Sequence, residues 1–228
     1  MILVFDLDDT LYDEITFVQS GFKAVAGFLE QKFRVSASES YQFMLDDLAE
    51  NGRGKIFNNI LSKYNLENKG NIVKCLTIYR THIPGITLST DAEDCLTRFA
   101  SSTKYIVTDG NKVVQHNKIK ALRLYSRVKK CYITHRYGVQ HSKPSPYCFL
   151  KICELEKVSP ANVVYIGDNP KKDFVNIKRL GFKTIRILKG EYKNLVVEEK
   201  FNADVSIKSL NEIHEDFLRK LENQPLNV

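Results

Sequence analysis

Paired cysteines, long apolar runs and repeats are all missing from this chain. Its five cysteines, Cys75, Cys95, Cys131, Cys148 and Cys153, are odd in number and scattered, and no two form a C-x-x-C pair. That spacing fits neither a disulfide framework nor a zinc site, and it is expected of reduced thiols in a cytoplasmic protein. No apolar stretch reaches the roughly 18 residues that a membrane-spanning helix needs, so no membrane contact is expected. A secretory leader would place a basic segment before a longer apolar one, whereas "MILVF" meets acidic residues after five positions. Low-complexity sequence is absent too, and only the last residues, "ENQPLNV", read as a loose tail.

With 228 residues the chain can bury a full core, either as one large domain or as a core carrying an insertion. Its apolar share of 43% and charged share of 27% are those of an ordinary globular protein. The net charge of +7 raises the question of a nucleic-acid partner. The densest basic stretch is Lys118, Lys120, Arg123, Arg127, Lys129 and Lys130, while Lys and Arg are spread evenly elsewhere. This pattern predicts a solvated helix face and loop, no nucleic-acid partner, and a mildly cationic surface suited to a small anionic substrate.

Two textures succeed one another along the chain. From about Asp13 to Tyr79 apolar residues recur at helical spacing: Val18, Phe22, Val25 and Leu29; Phe43, Leu45 and Leu48; Ile56, Phe57, Ile60 and Tyr64; Ile72, Leu76 and Tyr79. Four successive helices are predicted, with Ser36 to Glu39 as a capping box opening the second. After Pro84 short apolar runs alternate with helical patterns: "KYIV", "CYIT", "VVYI" and "TIRIL". With "ILVF" at the start they predict about five strands of an α/β fold, a Rossmann-like parallel sheet wrapped by helices. The helical block interrupts that core, giving an all-helical cap domain at 14–84 inserted into a core of 1–13 and 85–228.

Ligands of an open parallel sheet bind beyond the carboxyl ends of its strands. Behind the first strand stands Asp6-Leu7-Asp8-Asp9-Thr10, and behind the second Thr108-Asp109-Gly110-Asn111. Ser142-Lys143-Pro144 comes behind the third after a loop, and Gly167-Asp168-Asn169-Pro170-Lys171-Lys172-Asp173 behind the fourth. Each piece alone is a common turn or loop; four in this order, each behind its own strand, bring acid, hydroxyl, ammonium and acid to one edge. Three aspartates within four positions would repel one another unless they share a cation or a proton.

The order Asp6-x-Asp8-x-Thr10, Thr108, Lys143-Pro144, Gly167-Asp168-x-x-x-x-Asp173 resembles the four motifs of the haloacid dehalogenase-like (HAD) hydrolase superfamily, over essentially the whole chain. The helical insertion resembles the C1-type cap of its subfamily I. The resemblance implies a mostly Mg2+-dependent phosphatase. It also implies that Asp173 matches a second acidic position that supports the metal site or orients Lys143, and that Thr10 stands just behind the reacting groups.

Elementary chemistry assigns parts to the same residues. Asp6 can be the nucleophile that forms an aspartyl-phosphate, splitting one hard step into two. Mg2+ prefers oxygen ligands, and Asp6, the backbone carbonyl of Asp8 and Asp168 make a partial shell for it. Asp8, two positions on in an extended segment, leaves on the same side as Asp6 and can protonate the leaving group, then deprotonate the attacking water. That division expects Asp6 ionised beside the metal and Asp8 able to carry a proton. Asp9 faces the other way and reads as structural. Thr108, the backbone N–H groups of Asp109 and Gly110, and Lys143 can bind the phosphoryl oxygens. Lys143 is expected in extended conformation ahead of a helix starting at Ser145, and Asp173 in the first turn of a helix capped by Asn169 and opened by Pro170.

The family's dehalogenases lack the acid corresponding to Asp8, so its presence argues against dehalogenation. Phosphonate hydrolases of similar build need a Schiff-base lysine in the cap, and nothing singles out Lys23 or Lys32. Tyr12, Asp13, Arg53 and Lys55 are candidates to face the non-phosphate end of the substrate; the alternative for "NGRGKI" is a mere helix connection. The forms "GDNPKKDF" and "LYDE" resemble family members acting on sugar or polyol phosphates. The expectation is a phosphatase for a small sugar, polyol or nucleotide monophosphate, acting as a monomer or homodimer. The alternatives are a phosphomutase of the same fold or a non-catalytic basic protein that binds nucleic acid or a partner.

Overall fold

Five short runs of four or five residues, buried almost throughout, build the sheet of the computed structural model, which describes residues 1–223. They are β1 (Ile2–Phe5), β2 (Lys104–Thr108), β3 (Lys130–Ile133), β4 (Val163–Gly167) and β5 (Lys183–Ile187). A sixth strand, β6 (Val205–Ile207), joins the edge. Only three residues long and partly polar, it carries too little pattern to be read in advance. All neighbours pair in parallel, in the order β3-β2-β1-β4-β5-β6. The chain leaves β1 for β2 and β3 on one side, then returns to β4 on the other, so the switch point lies between the carboxyl ends of β1 and β4.

Packing divides the chain into two units, Met1–Glu14 with the chain from Thr87 onward, and Ile15–Ile86. In the first, alternate strand residues Ile2, Val4, Tyr105, Val107, Val163 and Tyr165 pack with Phe149 and Ile152 of α7 (Tyr147–Glu156). Helices α5 (Thr90–Arg98), α6 (Lys112–Ala121), α8 (Val175–Arg179) and α9 (Glu215–Glu222) complete it. The buried Lys104 ammonium donates to the carbonyls of Phe99, Ala100 (3.2 Å) and Ser102 (3.1 Å), meeting the electron-rich end of α5 with a cation. At the two chain crossings into the second unit, Leu11 and Ser89 are bonded: the Leu11 carbonyl accepts from the Ser89 N–H at 3.0 Å and from its hydroxyl at 3.3 Å.

The second unit holds four helices, α1 (Glu14–Phe33, whose first residue belongs to the other unit), α2 (Ala37–Asn51), α3 (Ile56–Lys63) and α4 (Lys69–Thr81). The helical spacing of Val18, Phe22, Val25 and Leu29 turns one face of α1 onto Met44, Phe57, Ile60 and Cys75. Ser36 caps α2, its hydroxyl accepting the Glu39 N–H at 3.3 Å. Buried Asp47 is satisfied by the side-chain amides of Asn51 (2.8 Å) and Asn59 (3.0 Å).

Two expected helix starts are displaced. α7 begins at Tyr147, with Pro146 at its N-cap, rather than at Ser145. The segment from Asn169 to Asp173 is a turn, and α8 begins only at Val175. The Asp173 N–H still donates to the Asn169 carbonyl at 3.0 Å, but the Asp173 carboxylate folds back to accept the Asn169 N–H at 2.9 Å, which closes the turn on itself. The tail expected at 222–228 begins where α9 ends, at Glu222, and residues 224–228 lie outside those described.

Candidate active site

The backbone N–H of Asp6 donates to the Ile166 carbonyl at 2.8 Å, extending the β1–β4 pairing and holding Asp6 at the switch point. Its buried carboxylate meets Lys143, whose Nζ lies 3.0 Å from Asp6 Oδ1 and 2.7 Å from Asp173 Oδ1. Tyr165, two residues before the end of β4 (Val163–Gly167), bridges that pair: its hydroxyl accepts from Lys143 Nζ at 2.8 Å and donates to Asp173 Oδ1 at 3.2 Å. Gly167 makes the close approach of Asp173 possible, because a Cβ there would stand 2.6 Å from Asp173 Oδ2. The Lys143–Pro144 peptide is cis.

Oxygens of Asp6, Asp168 and Asp173 lie within 4.8 Å of one another, and all three residues are buried. Burial, then the charges of Asp6 and Asp173, push Asp168 up to about 9. Burial raises Asp6 to about 6 against the pull of Lys143. Burial alone would lower Lys143, but Asp173 and Asp6 drive it well above its ordinary range. One ammonium does not neutralise three buried carboxylates. A hard divalent cation would, so this donor set fits Mg2+. The set contains Asp173, which the sequence places behind the metal, and omits the carboxylate of Asp8.

Asp8 has different company. Its Oδ1 takes Lys118 Nζ at 2.7 Å and the Tyr12 hydroxyl; its Oδ2 takes Gln115 Nε2 at 2.9 Å. Burial raises its pKa, but the Lys118 charge and the donors of Lys118, Tyr12 and Gln115 outweigh it and hold the carboxyl below its usual range. The sequence expectation concerns Asp6 beside a bound metal; without a cation Asp6 is the harder to ionise, and Asp8 is held below its usual range. The reason is that α6 (Lys112–Ala121) supplies Asp8 with an ammonium that the sequence pattern assigns to a solvated face. Lys118 is only 3% exposed.

The remaining expected residues are distributed across both units. Thr108 is buried, and its Oγ1 accepts from Gln115 Nε2 at 2.6 Å. Asp109 spends Oδ1 on the Thr134 hydroxyl (2.7 Å) and the Lys143 N–H (3.0 Å) and pairs Oδ2 with Lys172 Nζ at 3.5 Å, so its carboxylate organises the loops around it. Gly110 has φ +127°, a conformation open to glycine. Thr10 is fully buried, its hydroxyl without a hydrogen-bond partner among the described residues. Asp9 accepts the Glu14 N–H at 2.9 Å and presses against Gly190, where any Cβ would overlap it. Tyr12, expected to face a substrate, is buried with its hydroxyl turned to Asp8, and Asp13 is exposed. Arg53 and Lys55 are exposed in the connection between α2 and α3 of the helical unit, where Arg53 helps line a cavity of about 290 Å³ with Phe22, Phe57, Tyr79 and Arg80.

Gln115, Lys118 and Tyr165 carry no recognisable signal of a site in the sequence. Tyr165 reads as strand core. The α6 pair leaves a trace: Gln115, Lys118, Ile119 and Leu122 fall at i, i+3, i+4 and i+7, so the stripe that buries Ile119 and Leu122 also carries an amide and an ammonium.

Comparison with known proteins gives one consistent group. A family model described as haloacid dehalogenase-like hydrolase matches residues 3–187. Two curated relatives are named glyceraldehyde 3-phosphate phosphatase. That of Pyrococcus furiosus is 28% identical, over 94% of this chain and 91% of its own. That of Methanocaldococcus jannaschii is 26% identical, over 92% and 94%. Among solved structures, a HAD-hydrolase from Bacillus subtilis bound to magnesium superposes with a TM-score of 0.64 at 19% identity, covering 98% of both chains.

Proposed function

The chain belongs to the haloacid dehalogenase-like hydrolase family, and from that membership we propose a Mg2+-dependent phosphatase that hydrolyses a small phosphorylated sugar or polyol through an aspartyl-phosphate on Asp6. The observation that carries this reading is the contrast at the end of β1. One carboxylate there enters an acidic, cation-fitting pocket, and the other is clamped among donors two residues on.

Asp6, Asp168 and a backbone oxygen of Asp8 would hold the metal, with Asp173 beside them, and bound Mg2+ would offset the repulsion between these carboxylates and a phosphate dianion. Thr108 and Lys143 hold the phosphoryl oxygens while the Asp6 carboxylate attacks phosphorus. Asp8, ionised in the free site, takes up a proton with the incoming phosphate ester and passes it to the leaving alkoxide as the bond from phosphorus to the ester oxygen breaks. In the second half Asp8 removes a proton from water, whose oxygen attacks the Asp6 acyl phosphate, releasing phosphate and restoring the carboxylate.

The curated relatives named glyceraldehyde 3-phosphate phosphatase support a phosphorylated sugar as the substrate class. Five free, buried thiols support a reducing, cytoplasmic setting. Among the described residues no helix is long and apolar enough to cross a membrane. The reading is tested by phosphate release from p-nitrophenyl phosphate and a panel of sugar phosphates, with Mg2+ and with chelator. Wild-type turnover by Asp6→Asn, or activity indifferent to chelator, would overturn it.

A further inference from the structure

We infer that Gln115 and Lys118, one turn apart on α6, are positioning residues that aim Asp8 and Thr108 at the substrate, with Asp8 Oδ2 as the oxygen that exchanges the proton. The inference rests on the function proposed above, which assigns Asp8 the proton transfer.

The geometry carries it. A carboxylate offers about four acceptor directions. Two of them, on Oδ1, are taken by Lys118 Nζ (2.7 Å) and the Tyr12 hydroxyl, whereas among the described residues Oδ2 accepts only from Gln115 Nε2 (2.9 Å). The oxygen with a direction to spare is therefore Oδ2. Gln115 is 2% exposed, and its Nε2 also reaches Thr108 Oγ1 at 2.6 Å. The Gln115 nitrogen faces both oxygens, so its two N–H groups are shared between Asp8 Oδ2 and Thr108 Oγ1. Thr108 thus receives a hydrogen and keeps its own O–H free to donate to a phosphoryl oxygen. One amide group sets the spacing between proton donor and phosphate ligand.

Lys118 fixes the other side. Besides Asp8 it lies 3.6 Å from Glu14 Oε1, the first residue of α1, so the ammonium ties the carboxylate to the far end of its own loop. Two charge-assisted contacts on Oδ1 hold the carboxylate plane in one orientation. A clamp of this kind is worth more to the rate than to substrate affinity, because proton transfer tolerates little displacement.

The test compares leaving groups. An alkoxide needs the proton of Asp8 to depart and p-nitrophenolate does not, and kcat/KM reports the steps through departure of the leaving group. In Lys118→Met, kcat/KM for the alkyl ester turned over by the wild type, glyceraldehyde 3-phosphate or glycerol 3-phosphate, should fall about 10- to 100-fold. For p-nitrophenyl phosphate it should fall less than about threefold. KM for the alkyl ester should stay near wild type, and Lys118→Arg should restore part of the loss. Gln115→Met, which removes no charge, should show the same split with an added rise in KM from Thr108, and it serves where Lys118→Met does not fold. Equal losses on both esters, or no loss on either, would overturn the inference. Failure of the underlying reading shows separately, as wild-type protein inert toward all phosphate esters or Asp6→Asn that remains active.

Discussion

Asp6 and Asp8 leave the same strand end two residues apart, yet the chain gives them opposite surroundings. Asp6 looks toward β4 and the loops behind it, where Asp168 and Asp173 crowd a single ammonium from Lys143. Asp8 looks toward α6, where an ammonium, an amide and a phenol surround it. The difference lies in what the next elements bring. One flank accumulates negative charge that a cation would relieve, and the other is balanced by side chains. Neighbouring residues of identical chemistry thus acquire different surroundings through segments about a hundred residues or more away in sequence.

The comparison breaks most sharply in turnover. Asp6→Asn should reduce hydrolysis of every phosphate ester by about 10⁵-fold or more, as loss of a nucleophile does. A steady-state assay on two esters would detect any surviving activity. Asp8→Asn should cost about 10²- to 10⁴-fold on an alkyl phosphate. On p-nitrophenyl phosphate it should give a burst of about one equivalent of nitrophenol, with the acyl phosphate visible by intact-protein mass spectrometry. Equal slowing on both substrates with no adduct would remove Asp8 from proton transfer.

Lys143→Met should raise the barrier by about 2–4 kcal/mol. It also strands Asp6 and Asp173, so its melting temperature should fall most in chelator; unchanged kcat/KM would leave Lys143 a purely structural ion pair.

Stability should separate the two aspartates by sign. Without metal, Asp6→Asn relieves carboxylate crowding and should raise the melting temperature, whereas Asp8→Asn loosens the grip on Lys118 and should cost about 1–3 kcal/mol. The pH dependence comes from the raised carboxyls. Asp168 moves from 3.8 to about 9 and Asp6 from 3.8 to about 6 in the folded state. Between those values the metal-free folded protein holds protons that the unfolded chain has released, so its stability is greatest below about pH 4 for these groups and falls as pH rises toward about 9. Mg2+ should therefore raise the melting temperature more at pH 8.5 than at pH 5.5, and a uniform shift would count against the acidic cluster as its site. The smallest effect is expected outside both flanks: Arg53→Ala and Lys55→Ala should change KM for a physiological substrate by no more than about fivefold, and less for p-nitrophenyl phosphate.

Much of the fold and the site is legible in the sequence. Five strands stand out because a doubly covered parallel sheet favours short runs rich in apolar and β-branched residues, and the candidate site residues sit in the short segments at the carboxyl ends of those runs. The three residues of β6 give no such signal. Nor does the turn at Asn169-Pro170, where capping chemistry suggests a helix and the Asp173 carboxylate instead folds back onto the Asn169 N–H. Lys118 is hidden by its type. A lysine among five other basic residues reads as solvated, and only its place on the Ile119–Leu122 stripe tells otherwise. Tyr12 is misread for a related reason: its polar atom suggests a ligand, and a carboxylate four residues before it claims the hydroxyl first.

The bond between Leu11 and Ser89 gives the fold a freedom that neither unit has alone. Residues 12–88 form a closed loop whose two ends are already held by the core, so the entropy of bringing those ends together is met once, at the root, and grows only slowly with what is inserted between them. Chain length beyond that point is nearly unconstrained. The core could exchange its helical unit for a shorter or longer one while β1 and β2 keep their register, and a new lineage of such proteins would need to invent an insertion without reinventing the reaction.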